Sequence, residues 1–426
     1  MRALVIAPEP FFTPRGTPLS VYYRTLVMVE SGVSVDLLTY GQGQDVDLPG
    51  VRLFRTPALS WFGPVRVGPS ALKALHDVLV ALWAVALLLR NRYDFVHAHE
   101  ESVFLARLLK PLFRFQLVYD MHSSLPQQLV NFQFTSSRLL IRLFERLEQA
   151  SLTDADAVIT ICPELARLAI DRMPDPTRHF LIENSVLDEV RLKHRSQSTP
   201  ESDATEPAVP RDRPLILYAG SFEPYQGLHL LIAAFAKLRE RCPDAFLLVI
   251  GGLPEQVRQV GALASEHGLD GHCIVAGRVP QHVARRFTQR ATSLVSPRDR
   301  GCNTPLKVYE QLASGIPLVA TRILSHTQVL NDQVSILVEP TVNGLAEGIF
   351  ESLHDSDRRQ RVVAGALALY HEKYSRAAYG RAVRSVLDLI AQGHPRPHPS
   401  FVVSYHASET VAASVTSEES AASPSR

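Results

Sequence analysis

Charged side chains suited to binding a phosphorylated sugar are grouped in residues 296–321, SPRDRGCNTPLKVYEQLASGIPLVAT. Arg298, Arg300 and Lys307 offer cations to a phosphate, and Glu310 offers a hydrogen-bond acceptor to a sugar hydroxyl, such as that of a ribose. Because helical side chains lean toward the N-terminus of their helix, Lys307 and Glu310 can reach the same opening. The alternative interpretation is a surface helix with ordinary solvated charges.

The same stretch predicts a helix followed by a buried strand. Thr304 is the expected N-cap, since its hydroxyl can accept a backbone hydrogen bond, and Pro305 follows where a missing N–H costs nothing. Gly315 ends the helix and Pro317 prevents its resumption, before the short apolar strand 318–321. The loop before this helix is therefore a predicted anion site, because free N–H groups and the helix dipole point into it.

Two similar halves are indicated by the order of apolar and polar segments. Each half opens with an apolar strand, at residues 3–8 and 214–221, followed by a polar loop and a helix. This alternation is typical of doubly wound parallel sheets, and 426 residues are too many for one ordinary core. We therefore predict an α/β protein with two Rossmann-like domains facing across a cleft, divided as 1–190, a linker at 191–213, 214–373, a helix at 374–392 and a disordered tail at 393–426.

Composition and charge narrow the function classes. Hydrophobic residues make up 46% of the chain and charged residues 20%, which fits a soluble enzyme. Lys plus Arg is 44 and Asp plus Glu is 43, so no basic field indicates a nucleic-acid partner. The 4 cysteines form no C-x-x-C pair, which fits reduced thiols without zinc. With an apolar N-terminal run too short for a signal peptide, the expected localisation is cytoplasmic.

Two apolar segments raise the question of membrane contact. Residues 78–89, VLVALWAVALLL, are fewer than the roughly 18 needed to span a bilayer. A helix buried between the sheet and other helices is the preferred interpretation there, and a membrane-facing surface is the alternative. Residues 105–117, LARLLKPLFRFQL, could rest on an anionic membrane surface, or form an internal helix whose basic side chains extend to water. Peripheral contact with the inner face of the membrane therefore stays open.

Histidines occur at the predicted carboxyl ends of two strands. His97 and His99 have strand spacing and point to one face, but no third metal ligand is evident nearby, so a pair without metal is preferred. His122 lies in the polar turn after the strand in residues 116–124, at the edge where ligands bind in open α/β sheets. It is a candidate functional residue, with a histidine that caps a turn as the alternative.

The loop after the first strand contains Gly16 but no G-x-G-x-x-G pattern, so a dinucleotide site is not supported. Gly16 either allows the backbone to approach a ligand closely or serves a tight turn only.

The stretch at 296–321 resembles the nucleotide-sugar site of glycosyltransferase family 4, whose members have the GT-B fold. That family carries two glutamates eight positions apart, followed by a small-residue, Gly-x-Pro-hydrophobic segment. Glu310 with QLASGIPLVAT matches the second half, whereas Cys302 stands where the first glutamate is expected. The chain is similar to a subgroup with N-T-P-L-K-x-Y-E in place of the two-glutamate motif. The resemblance runs from about residue 1 to 391.

This resemblance implies retaining transfer of a sugar from a nucleoside-diphosphate sugar to a saccharide or lipid-linked acceptor, as in polysaccharide or glycolipid assembly. It implies no cofactor and no bound metal. His122, Lys307 and Glu310 are the implied catalytic residues, and the helix at 374–392 is expected to cross back onto the first domain.

The donor site implied by the resemblance departs from the family pattern in one loop. Many members hold the donor diphosphate with an arginine and a lysine where this chain has Ser221 and Gln226. Arg298, Arg300 or Lys307 could supply the missing charge. The implied donor-binding residues are Gly16, Gly220, Ser221, Gln226, Gly277, Arg298, Asn303, Thr304, Pro305 and Leu306. The alternatives are a catalytically inactive donor-binding or scaffold protein, and a nucleotide-sugar epimerase or phosphorylase on the same fold.

Overall fold

The structure, a computed structural model, describes residues 1–13, 16–58, 61, 63, 71–126, 137–183, 206–301 and 304–393. Most of the linker predicted at 191–213 and nearly all of the tail predicted from 393 lie outside these residues. Asn303, predicted to bind the donor, lies outside them as well.

The first half of the described chain is a parallel sheet between two layers of helices. Its strands are β1 (Arg2–Ala7), β2 (Ser34–Thr39), β3 (Val51–Arg55), β4 (Phe95–His99), β5 (Gln116–Met121), β6 (Ala157–Thr160) and β7 (His179–Leu181). Its helices are α1 (Gly16–Glu30), α2 (Ala71–Arg90), α3 (Ser102–Phe113), α4 (Arg138–Asp154) and α5 (Pro163–Ile170), with a 3₁₀ turn at Pro176–Arg178. The strand order is β3-β2-β1-β4-β5-β6-β7, and neighbouring strands are parallel.

The second half repeats this architecture. Its strands are β8 (Leu215–Ala219), β9 (Phe246–Ile250), β10 (Cys273–Ala276), β11 (Ser293–Ser296), β12 (Leu318–Thr321) and β13 (Ile336–Val338), in the parallel order β10-β9-β8-β11-β12-β13. Its helices are α6 (Leu228–Arg239), α7 (Pro254–Glu266), α8 (Gln281–Arg290), α9 (Leu306–Leu312), α10 (Leu324–Thr327), α11 (Val342–His354) and α12 (Ser356–Leu369). A 3₁₀ turn at Pro224–Gln226 precedes α6, and a π-helix at Tyr370–Tyr374 leads into α13 (Arg376–Gln392). The predicted fold class, two doubly wound α/β sheets, is confirmed.

Both faces of each sheet are buried, which explains why the strands were recognisable as apolar runs. Along β1, Ala3 and Val5 join a core with α1, whereas Leu4 and Ile6 join the opposite core with α2 and α3. A strand covered on both faces needs apolar residues at every position rather than at alternate ones. The strands that the sequence did not predict, β3, β7 and β13, all lie at sheet edges, where this requirement is weaker.

Helix α13 leaves the second half of the chain and packs on the first. Its residues Tyr379, Val383, Val386 and Ile390 are buried in the core that contains α1. Ser375 begins the helix as N-cap, and its hydroxyl accepts a hydrogen bond from Ala378 N. The last described helix is therefore structurally part of the first domain.

Helix α2 corrects one expectation. We predicted that residues 78–89 form a helix buried among other elements, but only its inner side, including Val80 and Ala84, is buried. On its outer side Val78, Leu82 and Leu89 are 56%, 59% and 72% exposed. In the described part of the chain, Leu72–Arg90 is one helical segment apolar and long enough to cross a membrane, and 28% of it is buried. Part of the apolar run, 4 of its 12 residues, therefore faces outward.

Candidate active site

A cleft lies between the carboxyl ends of the two sheets. It is a cavity of about 780 Å³. The first domain contributes Pro10 and Thr13 after β1, and Gln42 and Gly43 after β2. The second domain contributes the loops that follow β8, β9 and β10, at residues 219–221, 250–252 and 278–279. Ligands of open α/β sheets bind at this edge, so the cleft is the candidate substrate site.

Glycines hold the three second-domain loops close together. Gly251 has φ +127°, and its N–H donates to the carbonyls of Ala276 and Gly277 at 3.1 and 3.2 Å. A side chain there would place its Cβ 1.8 Å from the carbonyl oxygen of Gly220, and Gly220 N donates to Ile250 O at 2.9 Å. Backbone therefore forms this wall of the cleft, which suits recognition of a flat base or a phosphate by N–H and C=O groups.

Lys307 reaches the loop in which the expected cations are missing. Its Nζ donates to Gln226 Oε1 at 3.4 Å and lies 4.0 Å from the ring centre of Tyr218. Gln226 is buried, and its Nε2 donates to Ser221 Oγ at 3.4 Å. Burial, reinforced by the charge of Arg298, lowers the pKa of Lys307 to about 7. A phosphate bound here would place a negative charge beside this amine and would raise the pKa of Lys307.

The two arginines of the stretch differ in position. Arg298 lies with its guanidinium carbon 4.9 Å from the ring centre of Tyr225, in the loop after β8, and is close enough to influence Lys307. The Arg300 side chain is 71% exposed and lies 3.5 Å from Asp299. Of the three cations considered for the missing charge, Lys307 and Arg298 are therefore the two beside the loop at 220–227.

Glu310 lies one turn after Lys307 on α9 and is exposed to solvent. The protein around its carboxyl partly desolvates it and raises its pKa, whereas Arg285 of α8 acts in the opposite direction. The carboxylate is thus available as a hydrogen-bond acceptor, as its proposed role toward a sugar hydroxyl requires.

Helix α9 begins one residue later than its predicted N-cap implies. The helix begins at Leu306, and Pro305, not Thr304, occupies the N-cap position without a side-chain cap bond. Proline adopts the extended conformation that this position needs, with φ −65° and ψ 133°. Thr304, Pro305 and Leu306 are partly buried beside Lys307.

The two remaining predicted glycines lie at different places. Gly277 immediately precedes the cavity residue Arg278. Gly16 begins α1 with φ +22°, and a Cβ built there would meet nothing within 4 Å. Open space at Gly16 is compatible with close approach of a ligand, and its role stays a prediction.

His122 lies just after β5 in a buried polar cluster that the sequence did not reveal as one unit. Its Nε2 is 3.2 Å from Asp120 Oδ1 and 3.1 Å from His99 Nδ1. Asp120 Oδ2 is 2.8 Å from His97 Nε2 and 2.8 Å from Arg24 Nη1, which comes from α1. The parallel register places His99 beside Asp120, so two strands and one helix build the cluster.

The expectation that His97 and His99 have no third potential metal ligand nearby was wrong. Ligand atoms of His97, His99 and Asp120 lie within 4.8 Å of one another. The third group comes from the neighbouring strand, which sequence spacing along β4 could not show. However, the Arg24 guanidinium already neutralises Asp120, so a cation bound there would meet an adjacent positive charge.

Comparisons with known proteins agree with this geometry. The family model described as "Glycosyl transferases group 1" matches residues 201–367, and "Glycosyl transferase 4-like domain" matches residues 25–185. A phosphatidyl-myo-inositol mannosyltransferase of Mycolicibacterium smegmatis is 24% identical over 382 residues, 87% of this chain and 89% of that protein. A D-inositol 3-phosphate glycosyltransferase of Xylanimonas cellulosilytica is 31% identical over 195 residues, which is 44% of each chain.

A solved structure shares the two-domain arrangement. Anabaena HepE, crystallised with UDP, aligns with a TM-score of 0.66 and 14% identity, covering 91% of this chain and 100% of that one. Two facing Rossmann-like domains with a cleft between them define the GT-B class of enzyme. The protein belongs to glycosyltransferase family 4 and is a transferase, as the resemblance implied.

Proposed function

We propose that this glycosyltransferase moves a sugar from a nucleoside-diphosphate donor to a saccharide or lipid-linked acceptor, with retention of anomeric configuration, in glycolipid or polysaccharide assembly. The observation that carries the donor assignment is the position of Lys307 beside Gln226 at the edge of the interdomain cleft. A desolvated amine that has a lowered pKa and bonds to no carboxylate among the described residues is suited to bind a phosphate. The UDP in the HepE structure supports the same class of donor.

In this proposal Lys307 and Arg298 replace the arginine and lysine absent at Ser221 and Gln226. Both cations would stabilise negative charge on the diphosphate as the bond between the anomeric carbon and the phosphate oxygen breaks. Ser221 and Gln226 would add neutral hydrogen bonds, which are weaker than charge-assisted ones. Glu310 would accept a hydrogen bond from a donor hydroxyl.

The acceptor oxygen forms its bond to the anomeric carbon on the face that the phosphate leaves. Its proton passes to the departing phosphate oxygen, so no side chain acts as general base. His122 would hold a hydroxyl of the reacting sugars rather than remove the proton. We propose that the reaction uses no bound metal, because cationic side chains stand where a metal would otherwise neutralise the diphosphate.

An acceptor at the membrane is favoured by an apolar face on the first domain. We define the outer face as the exposed side of α2, α3 and α4, where α3 lies between the other two helices. Its large apolar residues are at least 36% exposed, and they are Leu75, Val78, Leu82, Trp83, Leu89, Leu108, Leu112, Leu139 and Leu143. Such a surface is larger than the scattered apolar residues of ordinary soluble proteins.

The charge beside the outer face favours an anionic membrane as its partner. Exposed arginines occur along and beside its three helices, at Arg90, Arg92, Arg114, Arg138, Arg142 and Arg146. Apolar side chains with adjacent basic residues are typical of helices that lie in a membrane interface. Because the inner side of α2 is packed in the protein core, we propose that α2 lies on the membrane and does not cross it.

A thermal-shift screen with UDP, GDP, ADP and their sugar conjugates tests the donor proposal. A ligand at 100 times its dissociation constant stabilises a fold by about 2.7 kcal/mol, which such a screen detects. We expect a shift with one nucleotide series that is lost in Lys307→Met, and a glycosidic product in subsequent transfer assays. No shift with any nucleotide would contradict the proposal and favour the inactive scaffold, whereas an altered free sugar would identify an epimerase or phosphorylase.

Flotation with liposomes tests the outer face. The variant Leu82→Ser/Leu108→Ser/Leu112→Ser should lose at least tenfold in binding to vesicles that contain phosphatidylglycerol. The control Leu253→Ser/Leu324→Ser changes leucines that are 51% and 45% exposed on the second domain, and should bind as the wild type does. An equal loss of vesicle binding in both variants, or no binding of the wild type to any vesicle, would contradict the membrane proposal.

A further inference from the structure

Asp120 is the centre of a buried network that joins residues of α1, β4 and β5 to His122. Its carboxylate lies within 2.8 Å of Arg24 Nη1 and of His97 Nε2, and 3.2 Å from His122 Nε2. The side chains of Arg24 and Asp120 are 0% exposed, and His122 is 3% exposed. The Tyr379 hydroxyl of α13 lies against Arg24, so the last helix supports this network from outside.

The charge state of the network follows from this geometry. Burial opposes ionisation of Asp120, but Arg24 and the facing histidines hold the pKa of its carboxyl well below its usual range. Burial also lowers the pKa of His97 and His99, which favours neutral rings there. The network therefore contains the buried ion pair of Arg24 with Asp120, and the carboxylate accepts a hydrogen bond from His97 Nε2 at 2.8 Å.

That carboxylate decides where the proton of His122 resides. In a neutral imidazole one nitrogen carries hydrogen and the other has a lone pair. Nε2 of His122 lies 3.2 Å from Asp120 Oδ1 and 3.1 Å from His99 Nδ1. We assign the hydrogen to Nε2, because an ionised carboxylate is a stronger acceptor than an imidazole nitrogen, and Nδ1 is then left with the lone pair. Nδ1 is buried and has no hydrogen-bond partner among the described residues. A buried acceptor without a partner costs free energy unless a ligand satisfies it.

We propose that Asp120, fixed by Arg24, is a positioning residue that sets the tautomer of His122 so that Nδ1 accepts a hydrogen bond from a hydroxyl of the sugar substrate. This inference rests on the proposed transfer function and adds the device that prepares His122 for it. Its physical logic is preorganisation, since a ring fixed in one tautomer and one orientation needs no rearrangement when substrate binds. Arg24 and Tyr379 act through Asp120 and do not touch the substrate.

Kinetics of single and double variants test the coupling. Asp120→Asn should lower kcat at least tenfold while the KM for the donor changes less than about threefold, because an amide can turn its N–H toward His122 and reverse the tautomer. In the His122→Gln background the same substitution should cost less than about threefold, since the group it positions is gone. Arg24→Lys should retain more activity than Arg24→Met, because it keeps the charge beside Asp120.

Histidine NMR tests the tautomer without any need for activity. In wild-type protein labelled with ¹⁵N-histidine, the signal that disappears in His122→Gln should be that of the Nε2–H tautomer. The opposite tautomer, or equal and additive losses of kcat from Asp120→Asn and His122→Gln, would overturn the proposal. Because the NMR measurement needs neither substrate nor activity, it decides this inference even where the transfer reaction is not found, and His122→Asn assigns the signal where His122→Gln fails to fold.

Discussion

The hydroxyl of Tyr309 on α9 donates a 3.2 Å hydrogen bond to Glu183 Oε1, at the end of the first domain. Tyr374 of the π-helix also bonds to Glu183, and its ring centre lies 4.8 Å from that of Tyr309. The helix that carries Lys307 and Glu310 is therefore tied to the first domain by one carboxyl group. This group lies near the point where the chain returns to the first domain through α13.

Glu183 should make stability depend on pH. Burial raises the pKa of its carboxyl to about 7, despite hydrogen bonds from Tyr374 and Tyr309 that act in the opposite direction. An acid with a raised pKa in the folded state binds its proton on folding, so its contribution to stability falls as pH rises through 7. From pH 5 to pH 8, Glu183→Gln should gain about 2 kcal/mol in free energy of unfolding relative to wild type.

Urea unfolding of both proteins across this pH range measures that difference. Glu347→Gln, which changes a glutamate whose side chain is 65% exposed, is the matched control and should show no such trend. A difference between wild type and Glu183→Gln that does not vary with pH would show that Glu183 is ionised at pH 5 already.

Lys307 should make donor binding depend on pH. The free amine has a pKa of about 7, and a bound diphosphate raises it, so binding takes up a proton. The charge contribution is present below pH 7 and is lost as pH rises toward the pKa of the complex. We expect the affinity for the nucleotide to fall at least tenfold between pH 7 and pH 9 in wild type, measured by calorimetry. Lys307→Met should bind weakly at both values, and Lys237→Met, on the surface of α6, should behave as wild type.

Glu310 should matter for turnover and not for stability. Because its side chain is exposed, Glu310→Ala should leave the melting temperature within about 1 °C of wild type. Loss of a charge-assisted bond to the donor should lower kcat/KM about 10²-fold, and Glu310→Gln, which keeps one acceptor oxygen, should lose less. Steady-state kinetics with the identified donor check this prediction. Near-normal rates for Glu310→Ala would show that Glu310 does not contribute to donor binding or catalysis.

Gly251 should tolerate no side chain. In Gly251→Ala the new Cβ would lie 1.8 Å from Gly220 O and would force apart the loops after β8 and β9. We expect weaker nucleotide binding, by at least tenfold, together with a lower melting temperature. The matched variant Gly261→Ala lies in α7 with nothing within 4 Å of the new methyl, and should gain roughly 0.5–1 kcal/mol from helix propensity. Equal behaviour of the two variants would contradict this account of the cleft wall.

The fold could be predicted because central parallel strands are recognisable in the sequence as short, unbroken apolar runs. The run LVAT at Leu318–Thr321 was placed to the residue, and the second domain was expected to start at the strand that is now β8. Edge strands such as β3 are buried on fewer sides, so their sequences lack unbroken apolar runs. The outer side of α2 was wrongly expected to be buried, because an apolar helix has the same composition whether it contacts a core or a membrane.

The site could be predicted only in part. Local motifs singled out Lys307 and Glu310, and neighbouring residues of one helix lie close together in any fold. The sequence analysis did not single out Arg24, Asp120 or Glu183 as functional residues, because most of their partners lie far away in the chain.

By itself, then, the sequence determined two doubly wound domains and the residue types that can hold a phosphorylated sugar, because burial of strands and capping of helices are local requirements. Only the tertiary structure decided which loop receives the charge of Lys307, and that one carboxylate, Asp120, joins Arg24 to three histidines. The distance in space between residues that are far apart in the chain depends on how strands and helices are arranged. The spacing of those residues along the sequence does not show that distance.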